Sequence, residues 1–266
     1  MAAMKAISKA LTIAGSDSGA GAGIQADLKT FAAHGVYGTS AITAVTAQNT
    51  IGVFAICALS PKLVAAQIDA VVSDIGADAV KTGMLANAAI IETVARSIRR
   101  HRLRNVVVDP VMVATSGDLL IKKSAVAALC ARLIPMATVV TPNLPEAEEI
   151  TGMKLRSTEE IEEAARRIVG MGAQSVIIKG GHRKGPAVDL FYDGKKFRAL
   201  YAPRIRTTST HGTGCTFSAA IAANLAQGKK LETAVTLAKQ FITEAIRRAF
   251  PVGAGHGPVH HFHRYW

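Results

Sequence analysis

The chain has 266 residues, 49% of them hydrophobic and 19% charged, which leaves ample apolar surface for a core and rules out intrinsic disorder. Lys and Arg number 31 against 19 Asp and Glu, a formal net charge of +12 that raises nucleic acid, an anionic membrane or a phosphorylated small molecule as partner. The excess is spread over both halves with no basic arm, and aromatic residues make up only 5% of the chain, so no stacking surface for nucleic acid is evident and a solvated exterior is the simpler account.

In chain order, short β-branched runs alternate with longer helical patterns, the signature of a mostly parallel sheet flanked by helices. Residues 11–14 read as a buried strand that ends in glycine, and residues 23–33 as a helix with Ile24, Leu28 and Phe31 on one face. Residues 36–45 and 52–59 read as two strands around a Gln48-Asn49-Thr50-Ile51 turn, a β flap over about 36–59 standing outside the helical alternation. Pro61 opens a helix to about Ile75. The alternation then runs strand 79–82, helix 88–100, strand 105–109, helix 122–133, strand 138–141, a short helix from Pro145, and a helix from the capping box Ser157-Thr158-Glu159-Glu160. The run Arg96-Ser97-Ile98-Arg99-Arg100-His101-Arg102-Leu103-Arg104 closes the 88–100 helix, where cations suit the dipole. Strand 175–179 follows, then a hairpin of 188–192 and 197–201 about Asp193-Gly194, and helices 214–226 and 231–250. No repeat or Pro/Ser-rich linker divides the chain, so residues 1–266 read as one α/β domain with a small β flap.

Three cysteines, Cys57, Cys130 and Cys215, lack CxxC or metal-ligand spacing, which argues against a disulfide framework and a zinc site. The apolar stretch 10–14 is too short for a signal-peptide core. The uncharged segment 30–61 is too rich in Thr, Ser, Gln and Asn to span lipid, so a soluble, cytoplasmic protein is expected.

Ligands of open α/β sheets bind beyond the C-terminal strand ends. The loops there are Gly15-Ser16-Asp17-Ser18-Gly19, Lys81-Thr82-Gly83-Met84, Asp109-Pro110-Val111-Met112, Thr141-Pro142-Asn143 and Lys179-Gly180-Gly181-His182. Gly21-Ala22-Gly23-Ile24-Gln25-Ala26 matches G-x-G-x-x-A, yet no acidic residue lies between Asp27 and Asp69 to hold a ribose, and no G-x-x-x-x-G-K-[ST] is present. The most informative segment is Thr210-His211-Gly212-Thr213-Gly214-Cys215-Thr216, which opens an apolar helix whose first N–H groups form an anion site without side-chain charge. Cys215 in that first turn is either a small buried residue or, with the dipole favouring its thiolate, a general base.

Together these segments, with Thr43-Ala44-Val45-Thr46-Ala47-Gln48-Asn49-Thr50, Thr141-Pro142-Asn143-Leu144-Pro145-Glu146-Ala147 and the Gly255-His256-Gly257-Pro258-Val259 tail, resemble the bacterial hydroxymethylpyrimidine/phosphomethylpyrimidine kinases of the ribokinase-like superfamily. The resemblance covers nearly the whole chain. It implies a three-layer α/β/α fold and an enzyme of thiamine diphosphate biosynthesis. That enzyme uses ATP and Mg2+ to phosphorylate 4-amino-5-hydroxymethyl-2-methylpyrimidine and then its monophosphate.

Carried over by position, the resemblance makes Gln48 the reader of the aminopyrimidine edge, a role suited to an amide that offers both donor and acceptor; by itself Gln48 would pass as a turn residue. Gly15, Asp17, Met84 and Val111 become the rest of the substrate wall, although Met84 alone suits core packing equally well. Cys215 stands where ribokinase relatives place an aspartate base, and Gly212 and Gly214 supply N–H groups to the transferred phosphoryl. Asn143 and Glu146 match an N-x-x-E element that organises magnesium with Asp109, while Glu146 alone also reads as a helix N-terminal acid. Lys179, Thr208 and Thr213 become contacts of the ATP phosphates; a lone strand-end lysine would otherwise be a surface charge.

Two departures stand out. Thr115 precedes Ser116-Gly117 where relatives show a lysine, which puts one phosphate contact in question. Ala20 replaces a frequent glycine and is expected to hold a negative φ. A homodimer is expected, since the uncharged flap has to cover its apolar surface. The rival readings are a pyridoxal or pyridoxine kinase of the same fold and a non-catalytic pyrimidine-binding sensor.

Overall fold

The computed structural model describes residues 6–112, 123–181 and 187–266; Thr115, Ser116, Gly117 and His182 lie outside them. The chain opens with β1 (Lys9–Asp17), α1 (Gly23–Ala33) and β2 (Tyr37–Gln48), which returns parallel to β1. Then come β3 (Val53–Ala58), α2 (Pro61–Asp74), β4 (Ala79–Thr82), α3 (Ala88–Arg100) and β5 (Val106–Val108). Helix α4 (Lys123–Ala128) runs into a π turn at Leu129–Leu133 and a 3-10 turn at Ile134–Met136, where Pro135 ends the regular helix. The remainder is β6 (Val139–Val140), α5 (Leu144–Thr151), α6 (Thr158–Gly170), β7 (Val176–Ile178), β8 (Ala187–Tyr192), β9 (Phe197–Ala202), α7 (Thr213–Ala226) and α8 (Leu231–Arg247). The helix starts follow local chemistry: Ser60, Asn87 and Ser157 each accept a backbone N–H from three residues on, Ser157 within the expected capping box.

The strands form one nine-stranded sheet in the order β3-β2-β1-β4-β5-β6-β7-β8-β9, parallel from β2 to β7 and antiparallel at both margins. Helix α1 carries the chain from β1 to β2 in one direction, and the helices between β4 and β7, α3 to α6, carry it in the other. Right-handed crossovers therefore place them on opposite faces. One core packs α2 to α6 through residues such as Ile68, Ile91, Leu133 and Ile168; the other packs α1, α7 and α8 through Phe31, Ile221 and Phe241. The three layers are those expected.

The flap is the expected hairpin outside the helical alternation, and it forms the margin of the main sheet: β2 pairs with β1 along its length to Thr46, runs two residues past Asp17 beyond the expected strand end at 45, and carries Gln48 over the strand ends. Strand β3 is almost wholly exposed, with Phe54 68% and Ile56 41% accessible. Helix α8 also ends at Arg247, short of Phe250, and the tail beyond folds back: His256 N–H donates to Thr50 O and Gly255 N–H to Thr50 Oγ1, tying it to the flap tip. Among the described residues no helix is long and apolar enough to cross a membrane.

The tail and its surroundings bury histidines. Burial pushes His261 down to about 3 and His34 down to about 4, and it lowers His263 as well. His261 Nε2 lies 3.0 Å from Thr216 Oγ1 in the first turns of α7, so the tail braces the helix of the anion site. A folded value below the unfolded one, about 6.5, means that the unfolded chain takes up protons first, so this stability is present above pH 6.5 and drains as pH falls toward the folded values. Each such histidine costs about 1.4 kcal/mol per pH unit in that window. Denaturant unfolding from pH 7.5 to 5.5 is expected to show a falling stability whose slope is reduced by His261→Gln; an unchanged slope would sink this account.

Candidate active site

The connections from β1 and β4, neighbours in the sheet, leave in opposite directions, and a crevice opens at their C-terminal ends. It is a cleft of about 1470 Å³. That exceeds the roughly 300–1,000 Å³ of a single-ligand pocket and leaves space for two ligands in contact. All five strand-end loops contribute to it, as expected from their polar and glycine content.

One end of the cleft is built on Asp17. Its carboxylate accepts the N–H groups of Gly19 (2.8 Å), Gly21 (3.1 Å) and Ala22 (2.8 Å), and Oδ2 also lies 2.8 Å from His211 Nε2. Burial works against this charge, yet the His211 hydrogen bond and the backbone donors hold the carboxyl below its ordinary value. The glycines serve contact rather than dinucleotide binding. A Cβ on Gly21 would lie 2.3 Å from the His211 ring, and one on Gly212, whose φ is +75°, would lie 1.7 Å from Gly21 O. The first glycine loop and the loop before α7 thus touch backbone to backbone. Gly15 lets Met84 approach, its added Cβ falling 3.2 Å from the methionine sulfur. Gln48, Met84 and Val111 line the same cleft.

Ala20 corrects the sequence reading: its φ is +60°, not negative. The turn requires it, since Ala20 N–H donates to Asp17 O at 2.9 Å while Ala20 O accepts from Lys29 Nζ at 2.8 Å. An L residue there carries roughly 1–2 kcal/mol of local strain, which explains why glycine suits the position.

At the centre, Gly212 caps α7 with no side-chain cap, so the first-turn N–H groups of residues 212–215 border the cleft. Cys215 lies among them. The expected thiolate is corrected: burial pushes the thiol up to about 11, outweighing the Lys81 ammonium and the Gly23 N–H that pull it down. Beneath it, Lys81 and Asp27 form a wholly buried ion pair at 2.9 Å, with Thr12 Oγ1 donating to Asp27 at 2.6 Å. Burial opposes both charges, but the Asp27 carboxylate holds Lys81 above its ordinary value, and we take the pair as ionised.

At the other end, Lys179 Nζ lies 3.0 Å from Asp109 Oδ1, and Thr141 Oγ1 donates to the same oxygen at 3.2 Å. Asn143 and Glu146 meet the helix N-terminal reading. They close a capping box at α5, with Asn143 N–H to Glu146 Oε2 at 2.7 Å and Glu146 N–H to Asn143 Oδ1 at 2.8 Å, and both line the cleft. Burial pushes Glu146 up to about 7, with Lys179 opposing and Asp109 adding to the rise. Thr213 lines the cleft while its hydroxyl donates to Thr210 O at 2.6 Å. Thr208 is not brought in: it is exposed and outside the lining, because the 207–210 turn directs Thr210 inward instead. Sequence reasoning quoted His211, Lys81 and Asp27 without giving them a role. The available signal was a charged residue at a core position of an apolar strand or helix.

A sequence profile described as Phosphomethylpyrimidine kinase matches residues 17–260. The chain belongs to the phosphomethylpyrimidine kinase family. The family's members are phosphotransferases, which sets the sensor reading aside. The chain is 56% identical over 261 residues to the hydroxymethylpyrimidine/phosphomethylpyrimidine kinase of Rhizobium meliloti, covering 97% of this chain and 98% of that one. It is 55% identical to the thiamine biosynthesis bifunctional protein ThiED of Geobacter sulfurreducens, over 94% of this chain, and spans only 51% of that longer protein. The phosphomethylpyrimidine kinase structure from Clostridium difficile superposes with a TM-score of 0.81 at 46% identity, covering 91% of this chain and 100% of that one. The pyridoxal kinase of Staphylococcus aureus in complex with AMP-PCP and pyridoxal superposes with a TM-score of 0.90 at 40% identity, covering 98% and 96%.

The floor of this family site makes a stability prediction. Lys81→Met leaves Asp27 buried without its partner and is expected to cost about 3–5 kcal/mol. The double variant Lys81→Met/Asp27→Leu is expected to recover most of that in denaturant unfolding; a single variant as stable as the parent would show that the pair is not ionised.

Proposed function

We propose that the chain transfers the γ-phosphoryl group of ATP to the hydroxyl of 4-amino-5-hydroxymethyl-2-methylpyrimidine and then to the resulting monophosphate, yielding the diphosphate used in thiamine diphosphate biosynthesis. The observation that carries this reading is one continuous cleft with Gln48 at one end, Lys179 at the other and Cys215 at the head of α7 between them. The Gln48 amide offers a donor and an acceptor to an amine beside a ring nitrogen. Gly15, Asp17, Met84 and Val111 form the remaining wall. The names of the relatives at about half identity support the pyrimidine, and the nucleotide analogue bound by the staphylococcal neighbour supports ATP.

In this reading the substrate hydroxyl oxygen bonds to the γ-phosphorus, the bond to the β–γ bridging oxygen breaks, ADP leaves, and the hydroxyl proton passes to the thiolate form of Cys215, the fraction of which grows with pH. The N–H groups of Gly212, Gly214 and Cys215 hold the transferred phosphoryl oxygens, and Lys179 and Thr213 hold those of the nucleotide. Asp109 and Glu146 are hard carboxylate donors on one rim with Asn143 beside them. Among the described residues no group of three or more His, Cys, Asp or Glu forms a closed cage. Two carboxylates completed by phosphate oxygens and waters fit Mg2+, which would neutralise phosphate charge when bound. Lys179 then exchanges Asp109 for phosphate. The chain acts as one cytoplasmic domain, residues 1–266, and as a homodimer that covers Val45, Ile51, Phe54 and Ile56, each more than 40% accessible along the β2–β3 margin.

Four outcomes test this. ATP-dependent turnover of the pyrimidine and its monophosphate should exceed that of pyridoxal in kcat/KM, and a higher value for pyridoxal would move the substrate assignment to the rival kinase. Because burial pushes the Cys215 thiol up to about 11, with Lys81 on β4 opposing the rise and Asp27 on α1 and Asp109 after β5 adding to it, kcat should rise about tenfold per pH unit from 7 to 9. Cys215→Ala should lose about 10²–10⁴ in kcat and with it the pH slope, whereas full turnover would remove Cys215 from the base role. Phe54→Glu should convert a dimer in light scattering to a monomer; a monomeric parent chain would refute the dimer.

A further inference from the structure

Two contacts around the Gln48 side chain are in conflict over protons. His211 Nε2 lies 2.8 Å from Asp17 Oδ2, a carboxylate oxygen that also accepts the N–H groups of Gly21 and Ala22, so this ring nitrogen must carry a hydrogen. It carries only one. Gln48 Nε2, itself a donor, sits 3.3 Å from the same nitrogen. On the other side, Thr46 Oγ1 donates its single hydrogen to Ser16 O at 2.9 Å and has none left for Gln48 Oε1 at 3.3 Å. As placed, a donor faces a donor and an acceptor faces an acceptor.

Turning the amide by half a revolution about its last bond resolves both contacts without moving a heavy-atom position. Gln48 Oε1 then shares the His211 Nε2 hydrogen, and Gln48 Nε2 donates to Thr46 Oγ1. We infer that the Asp17–His211 pair and Thr46 together fix the orientation of the Gln48 amide, and so the order in which the cleft offers acceptor and donor to a ring. The inference rests on the reading of Gln48 as the residue that meets the ring.

Each amide atom keeps one further valence for a ligand: a lone pair on the His211 side and an N–H on the Thr46 side. A ring with an exocyclic amine beside a ring nitrogen pairs fully in one orientation, amine toward His211 and ring nitrogen toward Thr46. A ring with an oxo group beside a ring N–H, held in that same orientation by its hydroxymethyl group reaching toward the head of α7, meets like with like. The two loops are held so closely that His211 cannot withdraw to let the amide turn: its ring is packed on Gly21, where a Cβ would lie 2.3 Å away. His211 and Asp17 are positioning residues in this scheme, acting on selectivity through Gln48.

The experiment compares binding of the 4-amino pyrimidine and its 4-oxo analogue by calorimetry, with AMP-PCP as a control ligand. The parent chain is expected to favour the amine at least a hundredfold. His211→Phe removes the N–H and Thr46→Val removes the acceptor, from opposite ends of the amide. Each should cut that preference to about tenfold or less; Thr46→Val should leave AMP-PCP affinity unchanged, and any change in AMP-PCP affinity in His211→Phe reports the loop position separately from the preference, which is a ratio of two pyrimidines on the same variant. Equal weakening of both pyrimidines in both variants, or full retention of the preference, would overturn the inference. Gln48→Ala separates the layers: if it keeps the parent's preference, Gln48 does not read the ring, and the underlying reading fails rather than the proton argument.

Discussion

The Asp17 carboxylate is the constraint on which the site depends. It ends β1, gathers three N–H groups of the following loop, and reaches 2.8 Å to His211 in the loop that leads into α7. A buried carboxylate with fewer donors would lose more in desolvation than it gains. With four it fixes the position of two glycine-rich loops distant in sequence. Everything above it follows: the close approach of Gly212 to Gly21 sets where α7 begins, and the start of α7 sets where the phosphoryl-binding N–H groups lie. The cost of this closeness is the left-handed Ala20, a local strain that the surrounding hydrogen bonds hold in place.

The net charge of +12 is not concentrated in the cleft. Its lysines come with carboxylates: Lys81 with Asp27, Lys179 with Asp109, and Lys239 with Asp189 at 2.7 Å. Such pairs give little net field, so the attraction of the site for phosphate comes from oriented N–H groups and from cations that can change partner, not from an accumulated positive potential. The basic exterior belongs to the helix surfaces, as in the arginine run that closes α3, where the last turn carries Arg99 and Arg100.

Much of this was legible in the sequence, because the elements obey local rules. The period of the apolar residues placed α1 at residues 23–33 and α3 at 88–100, and the capping box placed α6 behind Ser157. The five strand-end loops announced one rim, and Asn143 with Glu146 announced the turn that presents them. What escaped was set by partners far along the chain. That the 36–59 hairpin becomes the margin of the main sheet depends on β2 finding β1. The φ of Ala20 depends on Asp17 being buried against His211, a partner 194 positions along the chain, and the exposure of Thr208 on the path by which the tail returns to His211, whose N–H donates to Gly257 O. Long-range pairing of this kind leaves no periodic trace.

The identity of residue 215 follows from the same accounting of charge. Ribokinase relatives place an aspartate at the head of α7 where this chain has Cys215, and here the cation beneath that position, Lys81, is already matched by Asp27 at 2.9 Å with no exposure on either side. A second carboxylate there, within the field of Asp27 and Asp109, would be a buried negative charge without a partner, costing several kcal/mol. A thiol avoids that cost by staying neutral in the free protein, which is what its upward shift to about 11 expresses. It surrenders base strength at neutral pH in return. Phosphoryl transfer tolerates the exchange, because its loose transition state draws on alignment and on neutralised phosphate charge more than on early removal of the hydroxyl proton.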